Sequence, residues 1–198
     1  MYTYIDIHTH QPTAEGIITP RSFGIHPWDA DSSTLNDRQP FMEADIIGEC
    51  GLDKVCKSDW QRQMELFEAQ LRLAEELKKP VVVHCVRAFN EIVLLRKRFH
   101  ATPWIVHGFT GSIPQEEDLI RHGIRVSFGA SLIDPRREKV RATFRHLLEY
   151  HPEALFLETD DSKAGIVSVY RAASEVGEKE ELFICETIKK NYSALWQI

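Results

Sequence analysis

Two kinds of hydrophobic pattern alternate along this chain. Short apolar runs predict β-strands at 3–8, 22–26, 45–49, 80–84, 104–107, 124–128 and 155–160, with 16–19 as a candidate for an eighth. Apolar residues at helical spacing predict helices at about 59–78, 91–99, 112–122, 137–150 and 182–190. Strands that alternate with helices imply right-handed crossovers and a parallel sheet. The pattern therefore predicts an α/β fold: a compact TIM-like β/α barrel of seven or eight parallel strands with surrounding helices.

The length of the chain bounds this architecture. Its 198 residues form one predicted barrel domain over 1–198. An eight-stranded barrel typically takes about 250 residues, so the predicted barrel is a reduced one. Its longest helix, at 59–78, has Phe67 and Leu71 on its inward stripe, and Ser58 with Gln61 predicts a capping box at its start.

Composition and charge narrow the class of protein. The formal net charge of −6 argues against a broad basic surface, so contact with a nucleic acid would be local or carried by bound metal. No apolar run is long enough to cross a membrane, and a strand pattern begins at Tyr4, where a leader peptide would lie. The 4 cysteines form no Cys-x-x-Cys pair, which favours reduced thiols in a cytoplasmic protein. Neither a membrane nor an obligate protein partner is indicated.

Polar residues that could bind metal collect at the ends of the predicted strands. Such groups are costly at the end of a buried strand unless they are paired or bound to something. The ends of parallel strands meet on one rim, where folds of this class place their sites. The set at these ends contains imidazoles and carboxylates: His8, His10, His26, Glu49, His84, His107 and Asp160. That is more than one tetrahedral zinc needs, and it suits two metal ions that share a carboxylate and promote hydrolysis, often of phosphate esters.

Six motifs at these strand ends resemble those of a known family. In order, they are IDIHTH at 5–10, GIHP at 24–27, GECGLD at 48–53, VH at 83–84, HGFTGS at 107–112 and LETD at 157–160. They resemble the TatD-type metal-dependent deoxyribonucleases of the amidohydrolase-like barrel superfamily. NYSALW at 191–196 also resembles the closing segment of that family, so the resemblance extends over nearly the whole chain.

The resemblance implies a two-metal site and assigns a role to each ligand. His8, His10 and Asp160 would hold the first ion, Glu49 would bridge, and His84 and His107 would hold the second. Asp160 would also deprotonate or orient the attacking water, so Asp160 and Glu49 are the predicted catalytic residues. Such a donor set accepts two divalent ions among Zn, Mn, Ni, Fe and, less readily, Mg.

Residues beside these ligands are predicted to contact the substrate or to orient the ligands. His26 is not a ligand in the family pattern, so a contact with substrate or with a ligand is expected of it, beside an ordinary turn role. Lys54 and Arg87 are candidates to bind a phosphate of the substrate, although solvation is the commoner fate of lysine. Asp53 and Glu158 are interpreted as carboxylates that orient ligands or loops.

The chain departs from the family pattern after Asp160. The family usually continues with Ser-Pro and a loop carrying an Arg-x-Asn element near the substrate phosphate. Here the sequence DSKAG follows at 161–165, and the family's first helix is compressed into residues 11–20, which predict a loop. These departures concern the predicted binding of substrate and leave the predicted metal ligands intact.

The resemblance implies a metal-dependent hydrolase, foremost a phosphodiesterase or deoxyribonuclease acting on DNA or a small phosphodiester. Two alternatives stay open. One is an amidohydrolase-type enzyme acting on an amide, ester or lactone, because the superfamily shares this ligand set. The other is a metal-binding protein with little catalysis, left after loss of the substrate loop. Activity on phosphodiester and acyl reporters would separate them.

Overall fold

The structure is a computed structural model that describes residues 2–12 and 14–197. These residues form two compact units. The first unit contains the described residues up to 19 together with 107–121 and 125–197, and the second contains 20–106 and 122–124.

Strands and helices alternate along the described chain, as the sequence predicts. Within residues 2–12 and 14–197 the strands are β1 (Tyr4–Ile5), β2 (Ile17–Ile18), β3 (Ser22–Phe23), β4 (Ile46–Asp53), β5 (Val81–Val86), β6 (Trp104–Val106), β7 (Ile124–Phe128) and β8 (Leu155–Leu157). In the same residues the α-helices are α1 (Gln39–Glu43), α2 (Trp60–Leu77), α3 (Phe89–Arg98), α4 (Ile113–Arg121), α5 (Glu138–Tyr150), α6 (Ile166–Gly177) and α7 (Glu181–Ala194). Short 3₁₀ helices lie at Pro27–Asp29, Ala130–Leu132 and Pro152–Ala154.

The second unit is built on four consecutive parallel strands. β3 pairs with β4, β4 with β5, and β5 with β6, each in parallel register. β4 is buried at all but one position, and β5 is apolar and buried over its first three residues, as expected of a parallel sheet covered on both faces. Glu49 and His84 lie inside these two strands, so the pairing of β4 with β5 brings them close together.

Helix α2 packs along this sheet but begins differently from the prediction. The residue at its N-terminus is Asp59, whose side chain accepts a hydrogen bond from the backbone N–H of Arg62 at 2.9 Å. Ser58 instead donates its hydroxyl to the carbonyl of Trp28 at 2.7 Å. The predicted Ser58–Gln61 capping box is therefore wrong, because an aspartate one position later caps the helix and frees Ser58 to anchor a loop.

The first unit joins the beginning of the chain to its last strand. β1 pairs with β2 and β7 with β8, both in parallel register. The N–H of Ile7 donates to the carbonyl of Leu157 at 3.1 Å, and a parallel bridge joins Thr9 to Asp160. The end of β1 is thereby fixed beside the end of β8.

Most sequence-based elements are confirmed, with shifted ends. The candidate eighth strand contains β2, and the structure shortens the first and last predicted strands. Glu49 and His84 were predicted to end their strands, but β4 and β5 continue to Asp53 and Val86, so both residues lie inside a strand. Helix α6 was missed, although Ile166, Val169, Tyr170 and Ala173 form a buried stripe at helical spacing. The predicted loop at 11–20 includes residue 13, which lies outside the described residues.

Two further expectations concern the whole chain. Among the described residues, no helix has the length and apolar character needed to cross a membrane. The four cysteines are free, two of them buried. That the chain is one domain remains a prediction.

Candidate functional site

The ends of β1 and β8 bring three predicted ligands together in the first unit. Asp160 donates its N–H to the carbonyl of His8 at 3.0 Å, and His10 donates its N–H to the carbonyl of Asp160 at 2.9 Å. Asp160 has a φ of 52°, a left-handed conformation that turns the chain directly after the strand. The backbone pairing therefore places both imidazoles beside one carboxylate.

The separations among these side chains fit two ligands of one ion. Oδ1 of Asp160 lies 3.5 Å from Nε2 of His10 and 3.8 Å from Nε2 of His8. Both distances exceed a normal hydrogen bond. Two ligands held about 2.1 Å from a tetrahedral ion are about 3.4 Å apart, so the observed separations leave room for a cation. The donor set of imidazole nitrogen and carboxylate oxygen suits the transition metals that the sequence predicts.

A second imidazole–carboxylate group in the same unit includes His107, Glu158 and Asp160. Their ligand atoms lie within 4.8 Å of one another. Nδ1 of His107 is 3.5 Å from Oε1 of the buried Glu158, whose other oxygen, Oε2, accepts a hydrogen bond from the hydroxyl of Ser127. Burial alone would raise the pKa of Glu158, but His107, His8 and Ser127 hold it below its usual range. Glu158 is therefore a buried anion that can orient the ring of His107.

A buried network under the first unit's ligands was not foreseen from the sequence. Asp6, in the same run as the histidines, accepts hydrogen bonds from Thr159, at 3.0 Å from its N–H and 2.6 Å from its hydroxyl. The hydroxyls of Thr159 and Thr9 are 2.7 Å apart. Burial raises the pKa of Asp6 to about 6, an effect that the Thr159 hydrogen bonds partly offset. Asp6 thus fixes the residue that precedes Asp160.

The second unit has its own group of possible ligands, in which the side chains contact one another directly. Oε1 of Glu49 lies 2.5 Å from Nδ1 of His84 and 3.2 Å from Nε2 of His26, and the two imidazole nitrogens are 3.2 Å apart. The side chain of Glu49 is 8% exposed. A carboxylate this close to the imidazole lone pairs requires a proton or another cation between them.

The hydrogen bonds of His26 indicate that it is a donor. Its Nδ1 accepts the backbone N–H of Trp28 at 3.2 Å, and a backbone amide can only donate. The proton of a neutral His26 therefore sits on Nε2, the atom that faces Glu49 and His84. A nitrogen that carries a proton cannot bind metal, so the geometry agrees with the interpretation of His26 as a contact beside the ligands.

Asp53 supports His84 from the opposite side of the ring. Its Oδ2 lies 3.4 Å from Nε2 of His84 and accepts the indole N–H of Trp28 at 2.8 Å. Its Oδ1 accepts the backbone N–H groups of Val55 and Cys56. Burial opposes ionisation, but these hydrogen bonds hold the pKa of Asp53 below its usual value. A charged Asp53 can fix the tautomer of His84 that offers Nδ1 as a ligand.

Lys54 and Arg87, the two candidate contacts for a substrate phosphate, are both exposed. Nζ of Lys54 is 2.6 Å from Oε1 of Glu91 and lies over the ring of Trp60. Arg87 is exposed and has a φ of 55°. A contact of either residue with substrate remains a prediction.

The residues that sequence reasoning missed are those that support the ligands. Asp6, Thr159 and Ser127 do so in the first unit, and Trp28 in the second. Asp6 carried a signal, because it is a charged residue inside an apolar strand run. The others carried none, because their partners are distant in the sequence.

Comparison with known proteins identifies relatives along most of the chain. A sequence model of the family described as TatD related DNase matches residues 13–196. A protein of Musicola paradisiaca, named 3′-5′ ssDNA/RNA exonuclease TatD, is 34% identical over 152 residues, which are 69% of this chain and 54% of that protein. An Escherichia coli protein, named uncharacterized metal-dependent hydrolase YjjV, is 36% identical over 118 residues, 58% of this chain and 44% of its own length. The chain spans about half the length of the curated relatives it matches.

Solved structures share the fold. The TatD homologue YjjV of Escherichia coli superposes with a TM-score of 0.78 at 22% identity, covering 94% of this chain and 79% of that one. An amidohydrolase of Saccharomyces cerevisiae, described as uncharacterized, gives a TM-score of 0.70 at 15% identity, covering 91% and 81%. At these identities the likeness concerns fold alone, and it confirms the TIM-barrel fold class predicted from the sequence. Because the family match extends over nearly all of its residues, the chain belongs to the TatD related DNase family.

Proposed function

We propose that this chain is a metal-dependent hydrolase that cleaves phosphodiester bonds, in DNA or in a small phosphodiester. One observation carries the proposal: in each compact unit, imidazole nitrogens and carboxylate oxygens that could bind a metal ion come within 4.8 Å of one another. The groups are His26, Glu49 and His84 in one unit, and His107, Glu158 and Asp160 in the other. Relatives named as 3′-5′ ssDNA/RNA exonucleases support the choice of bond.

The proposal includes two divalent ions and the six ligands that the family resemblance implies. Zn, Mn, Ni and Fe suit these donors better than Mg, which prefers oxygen ligands. The chemistry that bound ions of this kind supply is Lewis-acid polarisation of the phosphoryl oxygens and of the attacking water. The ligands are His8, His10, Glu49, His84, His107 and Asp160.

The side chains of this protein then do three things. Asp160, with 36% of its side chain exposed, can be reached by water and accepts the proton of the attacking molecule. His26 offers the Nε2 proton as a hydrogen-bond donor to Glu49 or to a phosphoryl oxygen. Lys54 and Arg87 stay proposed contacts for a substrate phosphate, and a cytoplasmic location is part of the same proposal.

The test measures turnover by the full chain with Mn²⁺ or Zn²⁺ on bis(p-nitrophenyl) phosphate, single-stranded DNA and p-nitrophenyl acetate. We expect phosphodiester cleavage that a chelator abolishes and that Asp160→Asn lowers by roughly 10²–10⁴-fold. Asp161→Asn is the matched control, because it removes the neighbouring exposed carboxylate and should retain activity. Turnover of the acyl ester alone would favour an amidohydrolase-type enzyme. Metal binding without turnover of any substrate would favour a metal-binding protein.

A further inference from the structure

A cavity of about 400 Å³ lies within the first unit and is not explained by metal binding. Three segments line it: the end of β1, the residues around β2, and the segment that leads from Thr159 into α6. Its volume is at the lower end of the roughly 300–1,000 Å³ found for small-molecule sites. The cavity has room for one small organic unit.

Hydrogen bonds connect the wall of this cavity to Asp160. Asp6, Thr9 and Thr159 all line it and are hydrogen-bonded to one another. The hydroxyl of Thr9 also lies 3.4 Å from the carbonyl of Asp160, and the N–H of His10 donates to that carbonyl. A molecule in the cavity would therefore contact the segment that carries the proposed general base.

The lining combines apolar walls with hydroxyl groups and one positive charge. Pro12, Ile17 and Ile166 supply apolar surface, while Ser162 adds a hydroxyl to those of the threonines. Among the described lining residues, Lys163 is the one cation. Proteins that hold a long nucleic-acid strand use many lysines and arginines along its phosphates. One lysine suits one phosphate group, beside a unit that is otherwise uncharged.

We propose that this cavity binds a single nucleoside unit of the substrate, with the adjoining phosphate near Lys163. The inference rests on the proposed phosphodiesterase function, which makes nucleotides the substrate class. The flat faces of a base or sugar contact Ile17 and Ile166, and their polar edges bond the threonine hydroxyls.

The test is direct binding of thymidine to the metal-loaded full chain by calorimetry, with inorganic phosphate as a second probe. Thymidine has no phosphate to bind a metal ion, so it reports on the cavity. Gly165→Leu places a side chain at the cavity: the added Cβ meets nothing within 4 Å, and the backbone φ of −67° suits any residue. We expect this variant to weaken thymidine binding at least tenfold.

Two more variants separate a filled cavity from a damaged fold. Ser168→Leu adds the same side chain at an exposed position of α6 that does not line the cavity, and it should bind thymidine like the parent protein. Lys163→Met should leave thymidine binding unchanged and weaken binding of thymidine 5′-monophosphate.

The outcomes distinguish this inference from the proposed function. Absence of thymidine binding to the parent protein, or equal binding to Gly165→Leu, would overturn the cavity assignment even if phosphodiesters are cleaved. Cavity-dependent thymidine binding in a protein that cleaves no phosphodiester would support the assignment and reject the hydrolase. Phosphate binding that matches thymidine 5′-monophosphate in strength would also overturn it, since the nucleoside would then contribute nothing.

Discussion

Each of the two compact units has a buried carboxylate beside the imidazole of a predicted ligand, but the two carboxylates are anchored differently. Glu158 is 1% exposed and is held by Ser127 from the neighbouring strand β7. Asp53 is held by backbone N–H groups of the following loop and by Trp28, whose side chain is largely exposed. The first pair is therefore fixed by the sheet, whereas the second depends on loop conformation.

The spacing of the possible ligands differs as well. In the first unit, Asp160 lies 3.5 and 3.8 Å from the nitrogens of His10 and His8. In the second, Glu49 is 2.5 Å from His84. A proton can hold the second group together, so metal must displace that proton, whereas the first group already has the spacing of ligands around an ion.

The largest effects are expected from removing the carboxylate of either group. Asp160→Asn should lower turnover of bis(p-nitrophenyl) phosphate by roughly 10²–10⁴-fold, because the amide cannot accept the proton. Glu49→Ala should abolish turnover as well and also reduce bound metal, because it removes a proposed ligand. Turnover, circular dichroism and metal content by mass spectrometry would be measured together. Near-normal rates in either folded variant would count against the mechanism.

The second prediction distinguishes His26, the inferred hydrogen-bond donor, from His84, the proposed metal ligand beside it. His26→Ala should keep the metal content of the parent protein, because the Nε2 of His26 carries a proton. Its turnover should fall by roughly tenfold or more with the loss of a hydrogen bond near the reacting phosphate. His84→Ala is the comparison, because it should lose metal. If His26→Ala lost as much metal as His84→Ala, the tautomer inferred here would be wrong.

The third prediction tests Glu158 and Asp53, the two carboxylates that lie beside His107 and His84. Glu158→Gln and Asp53→Asn should each weaken metal binding by roughly 10–100-fold, the usual effect of removing a carboxylate that orients an imidazole ligand. Trp28→Phe should reproduce a part of the Asp53→Asn effect, because it removes the indole hydrogen bond to Asp53. Competition with a metal-sensitive dye would give the affinities. An inert Trp28→Phe would mean that the backbone N–H groups suffice to anchor Asp53.

The contrast between ligands and anchors also marks how far the sequence could predict this protein. His8, Glu49 and His107 were identified because each follows an apolar strand and belongs to a short local motif. The Trp28–Asp53 and Ser127–Glu158 hydrogen bonds join residues that are 25 and 31 positions apart, so no local sequence pattern predicts them. The candidate ligands and the orienting carboxylates Asp53 and Glu158 were therefore accessible to sequence reasoning, whereas their hydrogen-bond partners Trp28 and Ser127 were not.

The same limit applies to the fold. β7 was predicted with its observed ends, because turn signals flank a short apolar run. Helix α6 was not predicted, although the apolar residues of 166–177 have helical spacing. The N-terminal cap of α2 is Asp59, one residue after the predicted Ser58. Both are good capping residues, and only the tertiary contact of Ser58 with Trp28 decides between them.

A third imidazole–carboxylate pair, outside the family motifs, gives the smallest and most local prediction. Glu116 of α4 is fully buried, and its Oε1 lies 3.1 Å from Nδ1 of His146 on α5, with Glu117 and His151 also near that histidine. Burial raises the pKa of Glu116, and the contact with His146 offsets only part of that effect. The folded protein therefore favours protonated Glu116. Its contribution to stability is present below the ordinary glutamate pKa of about 4.3 and is lost as pH rises through the raised value.

Glu116→Gln should reveal this loss without changing turnover. Glutamine stays neutral, so the free energy of unfolding of the variant minus that of the parent should increase as pH rises above about 4 and then become constant. Urea unfolding at a series of pH values would measure the difference, and turnover at each pH would serve as the control. A difference that is constant across the series would mean that Glu116 ionises as easily in the folded state as in the unfolded one. A difference that rises with pH would instead mean that the folded protein favours neutral Glu116, whereas it holds Glu158 and Asp53 as anions.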